Sequence, residues 1–338
     1  MAMEPSHVKV IASAGQYSGN AKAVMGPTFE GRNEATHFQL KSATKEVSSL
    51  SFDDVAFSKK SAMLYSGGKF IPRTRYLLEN SETQFDWIEA CEPKSPGTHV
   101  IGFNRGWRNY FHWMMQAMPA IYASKEELQN KSSRLVIPEL NAWHRRTLEL
   151  VGLGDVPTLI VQDKEVLLEH AIFADFLNGS TVYEISTYTT LVHSAMSDAV
   201  DGQLEISPYI YVSRSDTSHR KLENELELCE MLKDLGFEIV VPGQFSIEDQ
   251  IRMFRQAKVV VGPHGAGLTN IVFSREGAKF YELIQDHYIN PCFARLSQLR
   301  DLEYHIDIFP SSTEGHGHHR GFSVDVNLIK GQVSELLR

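Results

Sequence analysis

The sequence predicts an α/β fold made of two domains of alternating strands and helices that face each other across a cleft. Strand and helix patterns begin to alternate at Thr98, and a second, cleaner alternation begins at Tyr209 after the polar stretch 201–208. A later strand, the valine run 259–261, leads directly into a turn of small residues. A chain of 338 residues is long enough to build two hydrophobic cores.

The domain boundaries follow from changes in this pattern along the chain. The N-terminal part mixes short β-like pieces, such as His7–Ala12 and 62–65, with Ser, Gly, Asn and Lys. We therefore expect an irregular, β-rich N-terminal extension, two sheet domains, and a loop followed by a closing helix. The predicted ranges, in chain order, are 1–96, 97–205, 206–310 and 311–338.

Hydrophobic periodicity assigns the elements of the first domain. Apolar residues recur at helical spacing from Phe111 to Tyr122, which indicates an amphipathic helix that begins at Asn109 or Tyr110. The other predicted strands are 99–103, 134–137, 158–162 and 167–173, and the other predicted helices are 142–151 and 186–200. This order predicts a parallel sheet covered by helices.

The second domain repeats the alternation. Ser246 is placed to cap a helix, and Asp249 supplies an acidic side chain to its first turn. The predicted strands are 209–213, 237–241, 258–261, 278–284 and 304–308, and the predicted helices are 223–235, 247–257, 290–299 and 326–338.

Composition and charge exclude several classes of protein. The apolar fraction of 42% and the charged fraction of 22% are ordinary for a globular protein. The net charge of −9 provides no basic field for nucleic acid. The sequence has no apolar run of roughly 18 residues and no secretory signal pattern at its N-terminus. Three scattered cysteines argue against a disulfide framework. We expect a cytoplasmic protein without a transmembrane segment.

The segment VVVGPHGAGLTNIVFSREGAKFYE places a turn between a buried strand and a helix that begins near Leu268. The first N–H groups of a helix have no internal partner, and the helix dipole favours negative charge there. Gly265 and Gly267 lack a Cβ that would keep a phosphate away from the backbone. His264 adds a hydrogen-bonding imidazole. The turn predicts a seat for a nucleoside diphosphate, although a purely structural turn is the alternative.

This segment supplies most of the candidate donor-binding residues. The Glu282 carboxylate, at the end of the next apolar run, is expected to accept hydrogen bonds from a ribose diol. The candidates from this segment are His264, Gly265, Ala266, Gly267, Leu268, Asn270 and Glu282.

Three separated stretches of the chain resemble glycosyltransferase family 61. They are NYFHWMMQAMPAIY, YVSRSDTSHRKLENELELCEMLKDLGFEIV, and SIEDQIRMFRQAKVVVGPHGAGLTNIVFSREGAKFYEL, and the similarity runs roughly from Thr98 to Ile308. The resemblance implies a GT-B architecture, in which two Rossmann-like domains face each other across a cleft. It also implies an inverting transfer from a sugar nucleotide, most often a UDP-sugar, to a saccharide or glycan acceptor.

Arg214 closes the first strand of the second domain. A guanidinium at a strand end facing the glycine turn can bridge two phosphates and stabilise the charge of the leaving group. Arg214 is therefore a candidate for both donor binding and catalysis, and Arg220 and Asn224 are further donor-binding candidates. The alternatives are a surface cluster of ion pairs and, for Asn224, a helix cap.

The motif NYFHW lies in the first domain, which the resemblance places on the acceptor side. An inverting transfer needs a base that takes the proton of the acceptor hydroxyl. His112 is the candidate base and Asn109 a second catalytic candidate, while a structural histidine is the alternative. The candidate acceptor-binding residues are Asn104, Arg105, Asn109 and His112.

No metal or cofactor is expected beyond the nucleotide sugar. The chain contains no D-x-D motif, so we expect Arg214 and the helix N-terminus to take the place of a metal. His316, His318 and His319 favour a solvated loop rather than a metal site. We expect a bacterial enzyme of surface-polysaccharide assembly, with peripheral membrane association through a lipid-linked acceptor as an option. The sequence does not determine the oligomeric state.

Other functions remain open at this point. The absence of G-x-G-x-x-G and of G-x-S-x-G argues against a dehydrogenase and an esterase. A scaffold protein that binds sugar nucleotides would keep the seat around His264 without turnover, and substitution of His112 would then change little. A GT-B epimerase would convert the donor without an acceptor.

Overall fold

The computed structural model describes residues 3–17, 19–76, 91–162, 165–180, 185–312 and 319–338, and for 91–93 only the backbone is described. The described chain alternates strands with helices and is mixed α/β, as the sequence predicts. It divides into two compact units. The first contains Met1–Gln16 and Ala43–Ala199, and the second contains Tyr17–Ser42 and Val200–Arg338.

The described residues contain fourteen strands. In chain order they are β1 (His7–Ala12), β2 (Lys22–Met25), β3 (Val47–Ser58), β4 (Met63–Ser66), β5 (Lys69–Phe70), β6 (Cys91–Ile101), β7 (Ser133–Ile137), β8 (Thr158–Ile160), β9 (Glu165–Ala174), β10 (Tyr209–Val212), β11 (Glu238–Val240), β12 (Val259–Pro263), β13 (Lys279–Gln285) and β14 (Glu303–Phe309). Most predicted strands are found within a few residues of these bounds, although β6 begins eight residues before the predicted start at 99.

The helices also follow the predicted order. The α-helices are Tyr110–His112, Met118–Tyr122, Lys125–Gln129, Ala142–Leu150, Tyr188–Asp198, Glu225–Asp234, Ile247–Gln256, Cys292–Leu299 and Val326–Leu336. A π-helical turn, Trp113–Ala117, joins the first two. The 3₁₀ helices of the described residues are Pro27–Phe29, Asn33–Phe38, Pro72–Thr74, Asp175–Asn178, Pro242–Gln244 and Ala266–Phe273. Among the described residues, no helix has the length and hydropathy that a bilayer crossing requires.

The sheet of the first unit is mixed rather than parallel throughout. Its strand order is β5-β4-β3-β9-β6-β7-β8, and β1 pairs with β3. The four strands β9, β6, β7 and β8 pair in parallel, as the alternation of strands and helices predicts. The strands from the N-terminal part of the chain join this parallel part in antiparallel orientation.

The sheet of the second unit is parallel in every pair. Its order is β11-β10-β12-β13-β14-β2. The helices Glu225–Asp234 and Val326–Leu336 pack over one face, where Leu232, Tyr211 and Val333 are fully buried. In open parallel sheets, ligands bind beyond the carboxyl ends of the strands. In this unit that edge lies just after β10, β12 and β13.

The N-terminal third differs from the predicted separate extension. β3 is a twelve-residue strand that pairs with β9 from Ser49–Ala174 to Phe57–Val166, so it is part of the first unit. These partners lie more than 100 residues apart in sequence. Such pairings depend on tertiary packing, which local periodicity does not report. The boundary predicted at residue 96 therefore does not separate two packed parts.

The segment Tyr17–Ser42 belongs to the second unit. Its strand β2 pairs with β14, and the buried Asp307 carboxylate accepts hydrogen bonds from the Thr28 N–H (3.1 Å) and the Tyr281 hydroxyl (2.7 Å). The guanidinium of Arg295, itself buried, donates to the carbonyls of His37 and Gln39. Buried polar groups of the second unit thus hold an N-terminal segment that the sequence alone assigned elsewhere.

Candidate functional site

The glycine-rich turn lies at the carboxyl edge of the parallel sheet of the second unit. β12 ends at Pro263, and His264 and Gly265 lead into the 3₁₀ helix Ala266–Phe273, for which Gly265 is the N-cap. The helix begins two residues before the predicted start at Leu268. Leu268 is fully buried and its N–H donates to the Gly265 carbonyl over 3.0 Å, so this residue does not face a ligand, which corrects its assignment to the donor. The strand, turn and helix of the predicted anion seat are therefore present.

The two glycines of the turn have different neighbours. A Cβ on Gly265 would overlap the Nη1 atom of Arg214, so the missing side chain leaves room for the guanidinium. A Cβ on Gly267 would lie 3.2 Å from Val212 Cγ1 and 3.3 Å from Pro242 Cγ. The space beside Gly267 is filled by the protein itself, which differs from the predicted opening toward a phosphate.

His264 is held by a buried carboxylate. Its Nδ1 hydrogen-bonds to Glu282 Oε1, and the Tyr304 hydroxyl donates to Glu282 Oε2 over 2.5 Å. His264 is 7% exposed and Glu282 is 0% exposed. Glu282 therefore orients His264, and this corrects the predicted contact with a ribose: both of its oxygens are used and no surface remains.

Two arginines lie close together at the same edge of the sheet. Arg214 follows β10, and its Nη2 donates to the His219 carbonyl over 2.8 Å. Burial and, second, the charge of Arg220 lower the pKa of Arg214 to about 10. Within the described ranges, neither guanidinium has a carboxylate at ion-pair distance. The Asp216 and Glu225 carboxylates act on the charge of Arg214 without forming an ion pair with it. Two neighbouring guanidinium groups that are not held in ion pairs favour the binding of an anion.

Both the backbone and the side chain of Arg220 adopt defined positions. Its backbone has a φ of 54°, a left-handed conformation that costs a residue other than glycine about 1 kcal/mol. Its guanidinium carbon lies 4.4 Å from the centroid of the Tyr288 ring. The Tyr288 ring is in turn 5.2 Å from the His264 ring. Tyr288 therefore connects the arginines to the glycine-rich turn.

Tyr288 was not among the predicted residues. It follows β13 by three positions, at the edge of the sheet where the other candidates lie. An aromatic residue just beyond the end of a predicted buried strand was the available signal in the sequence.

Two asparagines that were predicted to bind the sugar-nucleotide donor instead form hydrogen bonds within the protein. The Asn224 amide accepts from the Val324 N–H (3.0 Å) and donates to the Val324 carbonyl (2.9 Å). The buried Asn270 donates to Gln250 Oε1 over 2.8 Å and to the Gly267 carbonyl over 3.3 Å. The structure thus gives both side chains a structural role, which corrects their assignment to the donor.

The first unit contains the candidate base. Asn109 is the N-cap of the helix that begins at Tyr110, because its side chain accepts from the Phe111 N–H over 2.9 Å. His112 lies one turn later, half-buried, and its Nδ1 is 2.9 Å from Gln116 Oε1 and 3.0 Å from the Tyr76 hydroxyl. Burial lowers the pKa of His112, and the Gln116 hydrogen bond opposes this shift. His112 is therefore neutral near pH 7.

The other two candidates for acceptor binding, Asn104 and Arg105, differ in their exposure to solvent. Asn104 is 0% exposed; its Oδ1 accepts from the Gly106 N–H (3.0 Å) and its Nδ2 donates to Gln116 Oε1 (2.8 Å). Arg105 is exposed beside it. Asn104 therefore contacts His112 only through Gln116, which corrects its assignment to direct acceptor binding. Gln116 was not predicted, although its place one helical turn after His112 was a usable signal.

A cavity of about 480 Å³ opens in the first unit. It lies beside the loop after β6 and the start of the helix Ala142–Leu150. Its lining contains three cationic side chains, Lys59, Arg108 and Arg145, and one carboxylate, Glu139. Arg145 also donates to the Leu140 carbonyl. The charge balance of the lining favours an anionic group in a ligand.

The part of the chain that the structure describes contains no group of three or more His, Cys, Asp and Glu side chains arranged to hold a metal ion. Of the histidine-rich loop, His316 and His318 lie outside the described residues. The His319 ring lies 4.4 Å from the His219 ring.

Comparison with known proteins identifies similar sequences. The family model described as Glycosyltransferase 61 matches residues 110–281, just over half of the 338 residues. This range includes His112, Arg214 and His264, and it ends one residue before Glu282.

Individual relatives are sugar transferases by name. The chain is 27% identical to beta-1,2-xylosyltransferase RCN11 of Oryza sativa subsp. japonica over 50% of this chain and 29% of that protein. It is 24% identical to alpha-1,3-arabinosyltransferase XAT3 of the same organism over 60% of this chain and 40% of that protein. It is 32% identical to the EGF domain-specific O-linked N-acetylglucosamine transferase of Rattus norvegicus over 35% and 23% of the two chains. The chain thus spans less than half of each of these relatives.

Proposed function

Because the chain belongs to glycosyltransferase family 61, we propose that it transfers a sugar from a nucleoside diphosphate sugar to a saccharide acceptor. The observation that carries the proposal is the pair of guanidinium groups, Arg214 and Arg220, at the carboxyl edge of the parallel sheet, neither of which forms an ion pair within the described residues. A diphosphate offers the two guanidinium groups the charge-assisted, bidentate hydrogen bonds that no carboxylate of the described residues makes with them. The relatives with transferase names, which act on different sugars by name, support the reaction class rather than a particular donor.

The donor would bind through a small number of groups in the second unit. Arg214 and Arg220 bridge the two phosphates, and the N-terminal backbone of the 3₁₀ helix Ala266–Phe273 adds donors to the anion. His264 and Tyr288 line the same place. On the basis of the family resemblance we propose UDP as the nucleotide, and we propose that the two units correspond to the two domains of a GT-B enzyme.

The transfer would be a single displacement with inversion at the anomeric carbon. The acceptor oxygen forms a bond to the anomeric carbon while the bond from that carbon to the phosphate oxygen breaks. His112 takes the proton of the acceptor hydroxyl. The two arginines stabilise the negative charge that develops on the departing diphosphate, which is the part that a metal ion plays in other transferases. No metal is required in this scheme.

We propose that the cavity of the first unit binds the charged part of the acceptor, while the reacting hydroxyl lies outside it at His112, which is not among the lining residues. Its excess of cationic side chains favours an acceptor that carries carboxylates or phosphates. A saccharide on an anionic lipid carrier, used in surface-polysaccharide assembly at the inner face of the membrane, has this chemistry. A cytoplasmic location follows from that acceptor and is part of the proposal.

The proposed donor site makes a direct prediction for nucleotide binding. Calorimetric titration with UDP, GDP and CMP, each with and without EDTA, is expected to show selective binding of UDP that EDTA does not weaken. His264→Ala is expected to weaken it, because the variant removes the imidazole that Glu282 orients at the turn. Binding of none of the three nucleotides, or binding that EDTA abolishes, would contradict the donor site or its independence of metal.

The acceptor cavity predicts a preference for acidic saccharides. An oligosaccharide containing glucuronate should bind more tightly than the same oligosaccharide with its carboxyl groups reduced. Arg145→Gln should lower its affinity about tenfold, the equivalent of one exposed charge contact of about 1 kcal/mol or slightly more. Arg146→Gln is the matched control, because Arg146 is on the same helix and pairs with Glu149 outside the cavity. Equal affinity for the acidic and reduced forms would refute the preference.

A further inference from the structure

We infer that Asn104 and Gln116 are positioning residues that hold the proton of His112 on Nδ1 and leave Nε2 unprotonated to receive the acceptor proton. The position of the proton follows from the hydrogen bonds of the first unit. Its use in catalysis rests on the function proposed above.

The direction of this hydrogen-bond chain is set by the backbone. The Gly106 N–H can only donate, so the atom of the Asn104 amide that it contacts at 3.0 Å is the oxygen. The other end of the amide, Nδ2, must then donate to Gln116 at 2.8 Å, and the atom that accepts is Oε1. The same oxygen faces His112 Nδ1 at 2.9 Å. Since Oε1 cannot donate, the hydrogen of this bond belongs to Nδ1.

A reversed Gln116 amide does not fit this environment. Reversal would place Nε2 against Asn104 Nδ2, so two donors would face each other with no acceptor between them. In the present orientation Nε2 is buried and has no hydrogen-bond partner among the described residues. An unpaired buried N–H group costs about 1–3 kcal/mol. The present orientation leaves Nε2 unpaired within the described residues but directs Oε1 at both donors, Asn104 Nδ2 and His112 Nδ1.

Tyr76 does not change the outcome. Its hydroxyl lies 3.0 Å from His112 Nδ1 and can act as donor or acceptor, whereas the Gln116 oxygen can only accept. The acceptor-only partner therefore decides which nitrogen of the ring is protonated. The ring is also held by close packing, because a Cβ on Gly106 would lie 2.8 Å from His112 Cδ2.

The helix geometry supports a functional role for the hydrogen bonds that join Asn104, Gln116 and His112. Gln116 lies in the π-helical turn Trp113–Ala117, directly after His112. Single π-helical turns within α-helices occur frequently at functional sites. Asn104 and Gln116 are both fully buried, so neither can bind a saccharide directly. Their contribution to the reaction must pass through His112.

Two isosteric substitutions separate this proposal from a purely structural role. In Asn104→Asp with the carboxyl ionised, one oxygen still accepts from the Gly106 N–H, and the other also only accepts. Gln116 then reverses to donate from Nε2, and its second N–H meets His112 Nδ1, which moves the ring proton to Nε2. In Gln116→Glu, the carboxylate accepts from both neighbours, and the proton stays on Nδ1.

The proton position can be read directly by NMR of protein labelled with ¹⁵N-histidine, at pH 8. Two-bond correlations between ring protons and ring nitrogens distinguish the two neutral forms, and His112→Gln identifies the signals among the 14 histidines. We expect Nδ1–H in the wild type and in Gln116→Glu, and Nε2–H in Asn104→Asp. We expect kcat of Asn104→Asp to fall about 10³-fold or more, the scale seen when a catalytic histidine is held in the wrong tautomer. UDP affinity should stay within twofold and report that the variant is folded.

The pH profile gives a second readout that a structural role would not affect. In Gln116→Glu, the carboxylate stabilises the protonated ring, so the acid limb of kcat should move to higher pH. An Nε2–H ring in the wild type would overturn the inference. If the tautomer reverses while kcat is unchanged, the base role of His112 in the proposed function is wrong, and the positioning role falls with it.

Discussion

Replacement of Arg214 by alanine is expected to weaken UDP binding by at least about 30-fold, measured by calorimetry. Removing one partner of a buried, hydrogen-bonded charge pair costs about 2–5 kcal/mol, and every 1.4 kcal/mol is a tenfold change in affinity. Arg214→Lys keeps the charge but loses the planar fork that binds two phosphate oxygens, so its affinity should lie between those of the wild type and the alanine variant. Unchanged affinity in a folded Arg214→Ala protein would rule out the arginine pair as the diphosphate site.

Gly265→Ala tests the same contact without removing a charge. The new methyl group would occupy the position of Arg214 Nη1, so the guanidinium must leave the edge of the turn. The φ of Gly265 is −179°, which any residue adopts, and the expected loss of UDP affinity therefore comes from displacement of Arg214 rather than backbone strain. Gly243→Ala is the matched control. Its added Cβ would meet the nearest atom, Asp216 Oδ2, at 3.7 Å, an ordinary contact distance.

The glycine-rich turn was predictable because its signals are local. A run of valines fills a fully buried strand, and small residues after it allow the chain to turn into a helix, as β12 and Ala266–Phe273 show. The Ser246 cap was equally local, and its hydroxyl accepts from the Asp249 N–H over 3.1 Å. In such segments, residues within four positions of one another determine the structure.

The contacts around the candidate residues were less predictable, because they join distant parts of the chain. Glu282 was expected to meet a ribose, yet strand pairing places it opposite Gly262 in the neighbouring strand and beneath His264. Asn224 reaches Val324, which is 100 residues away. Burial and partner choice of this kind depend on the assembled sheet. The sequence predicts which residue types carry the chemistry but not which partners they contact.

The same limit applies to the N-terminal third. β1 was predicted with its observed bounds, but no local pattern indicated that β2 would complete the sheet of the second unit beside β14. The short polar pieces around these strands resemble a loop-rich extension when they are considered alone. Within the assembled units, β1 pairs with β3 and β2 pairs with β14.

His112→Ala is expected to lower kcat by about 10²–10⁴-fold, the usual contribution of a general base, while UDP affinity changes little. His170→Ala is a suitable control, because this exposed histidine of the first unit is paired with Asp53 and lies outside the hydrogen-bond chain of His112. A scaffold protein would show no turnover in the wild type or in either variant. An epimerase would consume the donor without an acceptor, and the assay distinguishes both from transfer.

The pH dependence of the wild type follows from the same residue. A base must be unprotonated before it accepts a proton, so kcat should fall as the pH drops through the pKa of His112. Burial lowers this pKa from the ordinary histidine value of about 6.5, and the acid limb should therefore have its midpoint below that value. The limb should disappear in His112→Ala, whose residual rate no longer depends on this group. An acid limb that persists unchanged in the variant would assign the base to another residue, even if kcat had fallen.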